Sequence, residues 1–203
     1  MPFSLKGIPA INQFIGRQED LKRIKDLFDK APSRRKVVVL CGMGGIGKTQ
    51  LAVEFLRMHK DDYTAIFWLD GSSEEQLRQS IADAARRIPR EELDADTTAA
   101  LKDSASEKDV VVRGVLQWLS LPTNTRWMLI FDNVDHDYLS ETDDSSAFNI
   151  KRYFPTADGG SILVTSRLRS VLVDLGAGID VEKMNSDDSR GVLQGGGSNT
   201  IPG

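Results

Sequence analysis

Short apolar runs alternate along this chain with longer stretches whose apolar residues recur at helical spacing. KVVVLC (36–41), the centre of DYTAIFWLD (62–70), Trp127 to Phe131 within TRWMLIFDNVD (125–135) and Ser161 to Thr165 within GGSILVTSR (159–167) are compact, apolar and β-rich, which predicts buried strands. GIDVEKM (178–184) predicts a last one. The helical stretches fall between them. In FIGRQEDLKRIKDLFDK (14–30), Leu21, Ile24, Leu27 and Phe28 share a face behind Gly16, the pattern of an amphipathic packing helix. QLAVEFLRMH (50–59) carries the stripe Leu51, Ala52, Phe55, Leu56. Ser72 and Ser73, with Glu75 and Gln76 three residues on, form two overlapping capping boxes ahead of Leu77, Ile81, Ala84, Ala85 and Ile88. Ser104 with Glu107 caps a helix in which Val112, Val115, Leu116 and Leu119 line up, and Pro122 ends it.

Other stretches lack a period. Residues 1–13 hold two prolines and predict an extended arm along the surface. Pro89 to Asp103 is acidic and rich in Thr and Ala, either a mobile loop or a stretch containing a weak helix. HDYLSETDDSS (136–146) predicts a solvated loop in which Asp143 and Asp144 have no metal role. NSDDSRGVLQ (185–194) looks like a helix start, and GGGSNTIPG (195–203) has no core-forming pattern.

At 203 residues, 40% hydrophobic and 28% charged, the chain has enough apolar material for one α/β domain with a full core. The net charge of −4, with Lys and Arg scattered among acids, argues against a nucleic-acid partner, because counterion release needs clustered cations. No apolar run approaches the ~18 residues of a membrane span and the N-terminus lacks a signal peptide, so a cytoplasmic protein is expected. One cysteine excludes internal disulfides, and Cys41 at the end of an apolar run reads as core. His59 and His136 lack metal-ligand spacing with each other or with Cys41. Trp68, Trp118 and Trp127 sit at core-facing positions.

Gly42 to Thr49, GMGGIGKT, stands between the first predicted strand and a predicted helix and matches G-x-x-x-x-G-K-[ST], the phosphate-binding P-loop. Glycines let backbone N–H groups turn around an anion, and the following helix adds the positive end of its dipole. Lys48 supplies a mobile cation for the β and γ phosphates and Thr49 a hydroxyl for Mg²⁺. By chance the pattern occurs in roughly one chain of this length in a hundred. Gly42, Gly44 and Gly47 also spell G-x-G-x-x-G, and Asp70 ends the next strand where a Rossmann dinucleotide fold places its ribose acid. Lys48 and Thr49 directly after the last glycine favour the triphosphate site. Asp132 ends an apolar strand; alone that means a turn, but beside a P-loop it suits a Mg²⁺ water shell, the Walker B role. Arg167, after a strand ending in hydroxyls, is either a surface arginine or a guanidinium placed near a γ-phosphate. Packing leaves the turn Phe14-Ile15-Gly16-Arg17 unexplained.

Taken together, FIGR, GMGGIGKT, IFWLD, MLIFDNVD and SILVTSR, in this order and spacing over residues 14–185, resemble the NB-ARC nucleotide-binding domain of the STAND class of P-loop NTPases. That class includes plant and fungal NLR-type innate immunity receptors and the animal apoptosome scaffold. The resemblance implies a three-layer α/β fold with a central parallel sheet of the additional-strand type, the arginine-bearing strand lying between the P-loop strand and the Asp132 strand. It implies that Ile15, Gly16 and Arg17 border the adenine and ribose. Gly44, Gly45, Ile46, Gly47, Lys48 and Thr49, flanked by Gly42 and Gln50, would hold the phosphates. Thr49 and Asp132 would hold Mg²⁺, and Arg167 would sense the γ-phosphate.

Proteins of this class hold ADP beneath helical and winged-helix domains, expected to lie outside this chain; residues 186–203 would begin the helical part or form a disordered tail. Asn133 stands where vigorous P-loop relatives place an acid that orients the attacking water, and Asp135 is the candidate substitute. The expected function is an ATP/ADP-binding switch with slow hydrolysis, whose full-length active state is a candidate homo-oligomer. The rivals are an efficient ATPase, a Rossmann NAD(P)-dependent oxidoreductase and an interaction scaffold with a degenerate pocket.

Overall fold

The structure, a computed structural model, describes residues 16–30, 35–102, 108–136 and 148–183. The predicted arm, Phe14, Ile15, the Ser104 and Glu107 capping pair, Asp143, Asp144 and the stretch 185–203 lie outside them.

In chain order the elements are α1 (Gln18–Lys30), β1 (Lys36–Cys41), α2 (Lys48–His59), β2 (Ala65–Asp70), α3 (Glu74–Ala85), α4 (Ala95–Ala100), α5 (Lys108–Leu119), β3 (Trp127–Asp132), β4 (Ser161–Ser166), α6 (Arg169–Leu175) and β5 (Gly178–Asp180). The five strands form one parallel sheet in the order β2-β3-β4-β1-β5. The strands are apolar on both faces because both faces are covered. Along β3, Trp127, Leu129 and Phe131 join the core under α3 and α5, while Met128 and Ile130 join the core under α1 and α2. Val39 and Cys41 divide from Val38 and Leu40 in the same way along β1. This is a three-layer α/β fold, with the arginine-bearing strand β4 inserted between β1 and β3.

The strand order removes the dinucleotide reading of Asp70. A Rossmann ribose acid needs β2 beside β1, but here β3 and β4 intervene, putting Asp70 about 14 Å from the P-loop strand at ~4.8 Å per step. Asp70 instead pairs in register with Asp132.

Local chemistry explains the helix starts. Ser73 caps α3 by accepting from the Gln76 amide at 3.2 Å, so of the two overlapping boxes the second is used. The stretch from Pro89 contains a short helix, the second of the two expectations for it. A 3-10 turn at Arg90–Glu92 leads into α4, where Asp94 accepts from the Thr97 amide at 2.7 Å and its hydroxyl at 2.9 Å. No sequence pattern predicts α6, a two-turn helix with Val171 as its buried residue. Trp118 and Trp127 are buried, whereas Trp68 is half-buried against the α1 and α2 side.

Parallel registers align the carboxyl ends of the strands, so Asp70, Asp132, Ser166 and Cys41 end along one edge. Ligands of open α/β sheets bind at that edge, where strand order reverses.

Candidate functional site

Between β1 and α2 the backbone takes conformations that side chains resist. Gly42 has φ 155°, and a Cβ there would meet the Val181 carbonyl oxygen at 2.6 Å. Its amide donates to Ser166 O at 3.2 Å, tying the loop's first residue to β4. Gly47, at φ 95°, turns left-handed into α2. No side chain caps α2, in contrast to α3 and α4, so the first-turn amides are left for an anion. Gly44 and Gly45 are exposed, and nothing stands within 4 Å of where a Cβ at Gly45 would be.

Lys48 bends back over this loop. Its Nζ donates to Gly42 O at 2.7 Å and Met43 O at 3.0 Å. Burial pushes its pKa below the usual lysine value, as does Arg167, while Asp135 and Asp132 pull it up. The four charged groups therefore share one electrostatic neighbourhood, although the sequence spreads them over 120 positions, from 48 to 167.

Asp132 closes the far side. It is 6% exposed, and its carboxylate accepts from the Thr49 hydroxyl at 3.0 and 3.3 Å and from the Thr165 hydroxyl at 2.5 Å. Burial raises its pKa above the usual carboxylate value, Asp70 adds to the rise, and the bonds from Thr165, Thr49 and the Asn133 amide oppose it. Thr165 is a participant that residue patterns alone do not identify; its only signal is the run of hydroxyls ending β4. Through Oγ1 it also accepts from the Asn133 amide at 3.0 Å, holding exposed Asn133 at φ 62°. A Thr49 hydroxyl that donates to a buried carboxylate keeps its lone pairs for a cation. These two side chains suit Mg²⁺, which takes one or two protein oxygens and completes its octahedron with water and phosphate. Among the described residues no group of three His, Cys, Asp or Glu side chains is gathered for a metal.

Arg167 lies over the loop. Its Cδ and Nη1 are 3.5 and 3.9 Å from where a Cβ on Gly44 would stand. Asp135 holds it from the other side, accepting from Arg167 N and Nε at 2.6 Å each. The substitute proposed for Asn133 thus has both oxygens committed to Arg167.

Arg17 reaches the P-loop backbone from the turn before α1. Its side chain is 8% exposed, and Nη2 donates to Ile46 O at 2.8 Å and Glu182 O at 3.0 Å, while Nη1 pairs with Asp20 at 3.1 Å. Arg17, at φ 58°, follows Gly16 at φ 79°, so the turn before α1 aims the guanidinium at the P-loop backbone. Ile46 packs its side chain on the α1 and α2 core, and Gln50 is exposed with Oε1 beside Gly47.

The family model described as AAA ATPase domain matches residues 13–150. A nucleotide-binding leucine-rich repeat (NLR)-like protein of Hyaloscypha variabilis is 26% identical over 195 residues, covering 90% of this chain and 19% of that protein. Disease resistance RPP13-like protein 4 of Arabidopsis thaliana is 28% identical over 167 residues, covering 78% of this chain and 17% of that protein. The chain therefore spans about a fifth of the length of these curated relatives, whose names fall in the receptor class that the motif set resembles. Among solved structures, Cdc6p from Pyrobaculum aerophilum aligns with a TM-score of 0.59 at 16% identity, over 94% of this chain and 51% of that one, a likeness of fold. With a P-loop, an acidic strand end beside it and a family match across two-thirds of its length, the chain belongs to the AAA ATPase domain family and is a P-loop nucleotide-binding domain.

Proposed function

We propose that residues 14–185 form an ATP/ADP-binding switch of NB-ARC type, with Mg²⁺-dependent and slow hydrolysis, in a signalling protein of the NLR class. The observation that carries this reading is the contact of Thr49 with Asp132, with Lys48 on the adjoining loop. The motif order and the names of the two relatives support the signalling class.

In this reading the loop amides and Lys48 bind the phosphates, Thr49 and Asp132 hold Mg²⁺, which would neutralise phosphate charge, and Arg167 distinguishes ATP from ADP. Helical and winged-helix domains outside residues 14–185 would close over the nucleotide, and a homo-oligomer would form in the active state. Among the described residues no helix is long and apolar enough to cross a membrane. An efficient ATPase is the rival of the same fold. Against it stand Asn133, an amide that takes no proton, and Asp135, whose oxygens are engaged.

The test is to denature the purified protein and identify what it releases, then to titrate the nucleotide-free protein with ADP and Mg²⁺-ATP. Released ADP, or binding of both nucleotides, supports the reading; no adenine nucleotide in either assay refutes it.

A further inference from the structure

We propose that Asp135 is a positioning residue for Arg167: it fixes the guanidinium over Gly44 so that the ATP-over-ADP preference of the site depends on Asp135. The inference deepens the switch reading and rests on Arg167 as its γ-phosphate sensor.

The geometry separates positioning from the two other roles open to a carboxylate here. Asp135 Oδ1 accepts from the backbone amide of Arg167 and Oδ2 from Nε, both at 2.6 Å. One carboxylate therefore fixes both the start of the segment after β4 and the side of the guanidinium nearest the chain. A guanidinium has five N–H donors, of which Nε carries one. Among the described residues nothing holds Nη1 or Nη2, and Nη1 is the nitrogen lying over Gly44. The fork that grips phosphate oxygens is thus left free, so Asp135 does not compete with a phosphate for it. Nor is it arranged as a base, since both of its oxygens already accept from Arg167.

The need for such a holder follows from exposure. The Arg167 side chain is 61% exposed and leaves the sheet edge with many rotamers open to it. Ordering it only when a nucleotide arrives would spend binding energy on side-chain entropy. Asp135, at 15% exposure and anchored by the Val134 amide bonded to Thr165 O at 2.9 Å, does that ordering in advance. The pair itself adds little to fold stability, because a largely exposed ion pair is weak.

The experiment is calorimetric titration of the 203-residue chain with ADP and with Mg²⁺-ATP, for wild type, Arg167→Ala, Asp135→Asn and the double variant, with thermal melting of each. Arg167→Ala should lower the ATP-over-ADP preference by roughly tenfold to a hundredfold, the worth of a charge-assisted hydrogen bond. Asp135→Asn should lower it by about threefold to tenfold with a melting temperature near wild type, because asparagine keeps one acceptor and presents an amide to Nε. In the double variant the preference should equal that of Arg167→Ala alone. Where Asp135→Asn melts well below wild type, Asp135→Glu replaces it; its shifted carboxylate should also lower the preference.

Preference lost with Arg167→Ala but unchanged in the Asp135 variants overturns the positioning role and leaves the switch reading intact. So does a fall in hydrolysis without a change in preference, or losses that multiply in the double variant. Preference unchanged by Arg167→Ala overturns the sensor reading first and this inference with it.

Discussion

Thr49 and Asp132 are 83 positions apart in sequence, and the Thr49 hydroxyl donates to the Asp132 carboxylate at 3.0 Å. One begins the helix after the glycine loop and the other ends the strand two places away in the sheet. The contact exists because β4 lies between β1 and β3, setting the carboxyl end of β3 opposite the first turn of α2. It also requires a carboxylate to be buried at neutral pH, which is unfavourable for the fold and useful to a cation site.

That conflict predicts a gain in stability on removing the charge. Asp132 has a folded-state pKa above its unfolded value, so the folded protein holds the proton more tightly and its stability falls as pH rises through the folded pKa. Above the folded-state pKa the full cost is present; below the ordinary carboxylate range, about pH 4, it is gone. Asp132→Asn should therefore melt higher than wild type at pH 7, by about 2–4 °C per kcal/mol relieved, with the gap closing toward pH 4. The same variant should lose the extra affinity that Mg²⁺ gives to ATP while keeping metal-free ADP binding. Thermal melting against pH, with titrations with and without Mg²⁺, measures both. A variant that melts below wild type at pH 7 contradicts the account of the buried charge.

Arg17 separates a brace from a ligand contact. With its guanidinium bonded to Ile46 O and Glu182 O, Arg17→Ala should destabilise the nucleotide-free domain by about 1.5 to 3 kcal/mol, the worth of the part-buried charge-assisted bond to Ile46 O, with the exposed bond to Glu182 O adding little. Arg17→Lys should recover little, because one ammonium cannot serve two carbonyls and Asp20 at a planar fork's spacing. Melting of the nucleotide-free protein decides it. An unchanged melting temperature with weakened nucleotide binding would instead favour Arg17 as a contact of the adenine and ribose.

These two sites show what residue patterns convey here and what they do not. Strand cores and the P-loop are legible because burial on both faces and phosphate binding each demand particular residue types at fixed spacing. The order β2-β3-β4-β1-β5 is not legible from periodicity, since strand neighbours are set by long-range pairing, and the family resemblance supplied the place of β4. Arg17 stood out, but its partners did not, because its acceptors are backbone carbonyls that leave no mark on the sequence. Asp135 was legible as a candidate carboxylate but not its distance from the site, and its engagement with Arg167 depends on the turn after β3, where Asn133 is held at φ 62°. The helix α6 escaped because seven residues give too short a window for a 3.6-residue period to show.

Hydrolysis should be slow. Phosphoryl transfer asks the protein to neutralise charge and to orient water, and neither candidate for the second task is a free acid, since Asn133 is an amide and Asp135 is bound to Arg167. Single-turnover hydrolysis at saturating Mg²⁺-ATP should run well below about 1 per second, the low end of ordinary enzymes. A faster rate in the isolated chain favours the efficient ATPase.

The most direct test of the central claim, that the Gly42–Thr49 loop binds the phosphates of an adenine nucleotide, is calorimetric titration of wild type and Lys48→Ala with ADP and with Mg²⁺-ATP. Lys48 must exchange its bonds to Gly42 O and Met43 O for phosphate oxygens, so its net contribution is that of a charge-assisted contact less the carbonyl bonds given up. The account predicts binding of both nucleotides by wild type, weakened about tenfold or more in Lys48→Ala. Equal affinity of the two proteins for ADP and for ATP would contradict it.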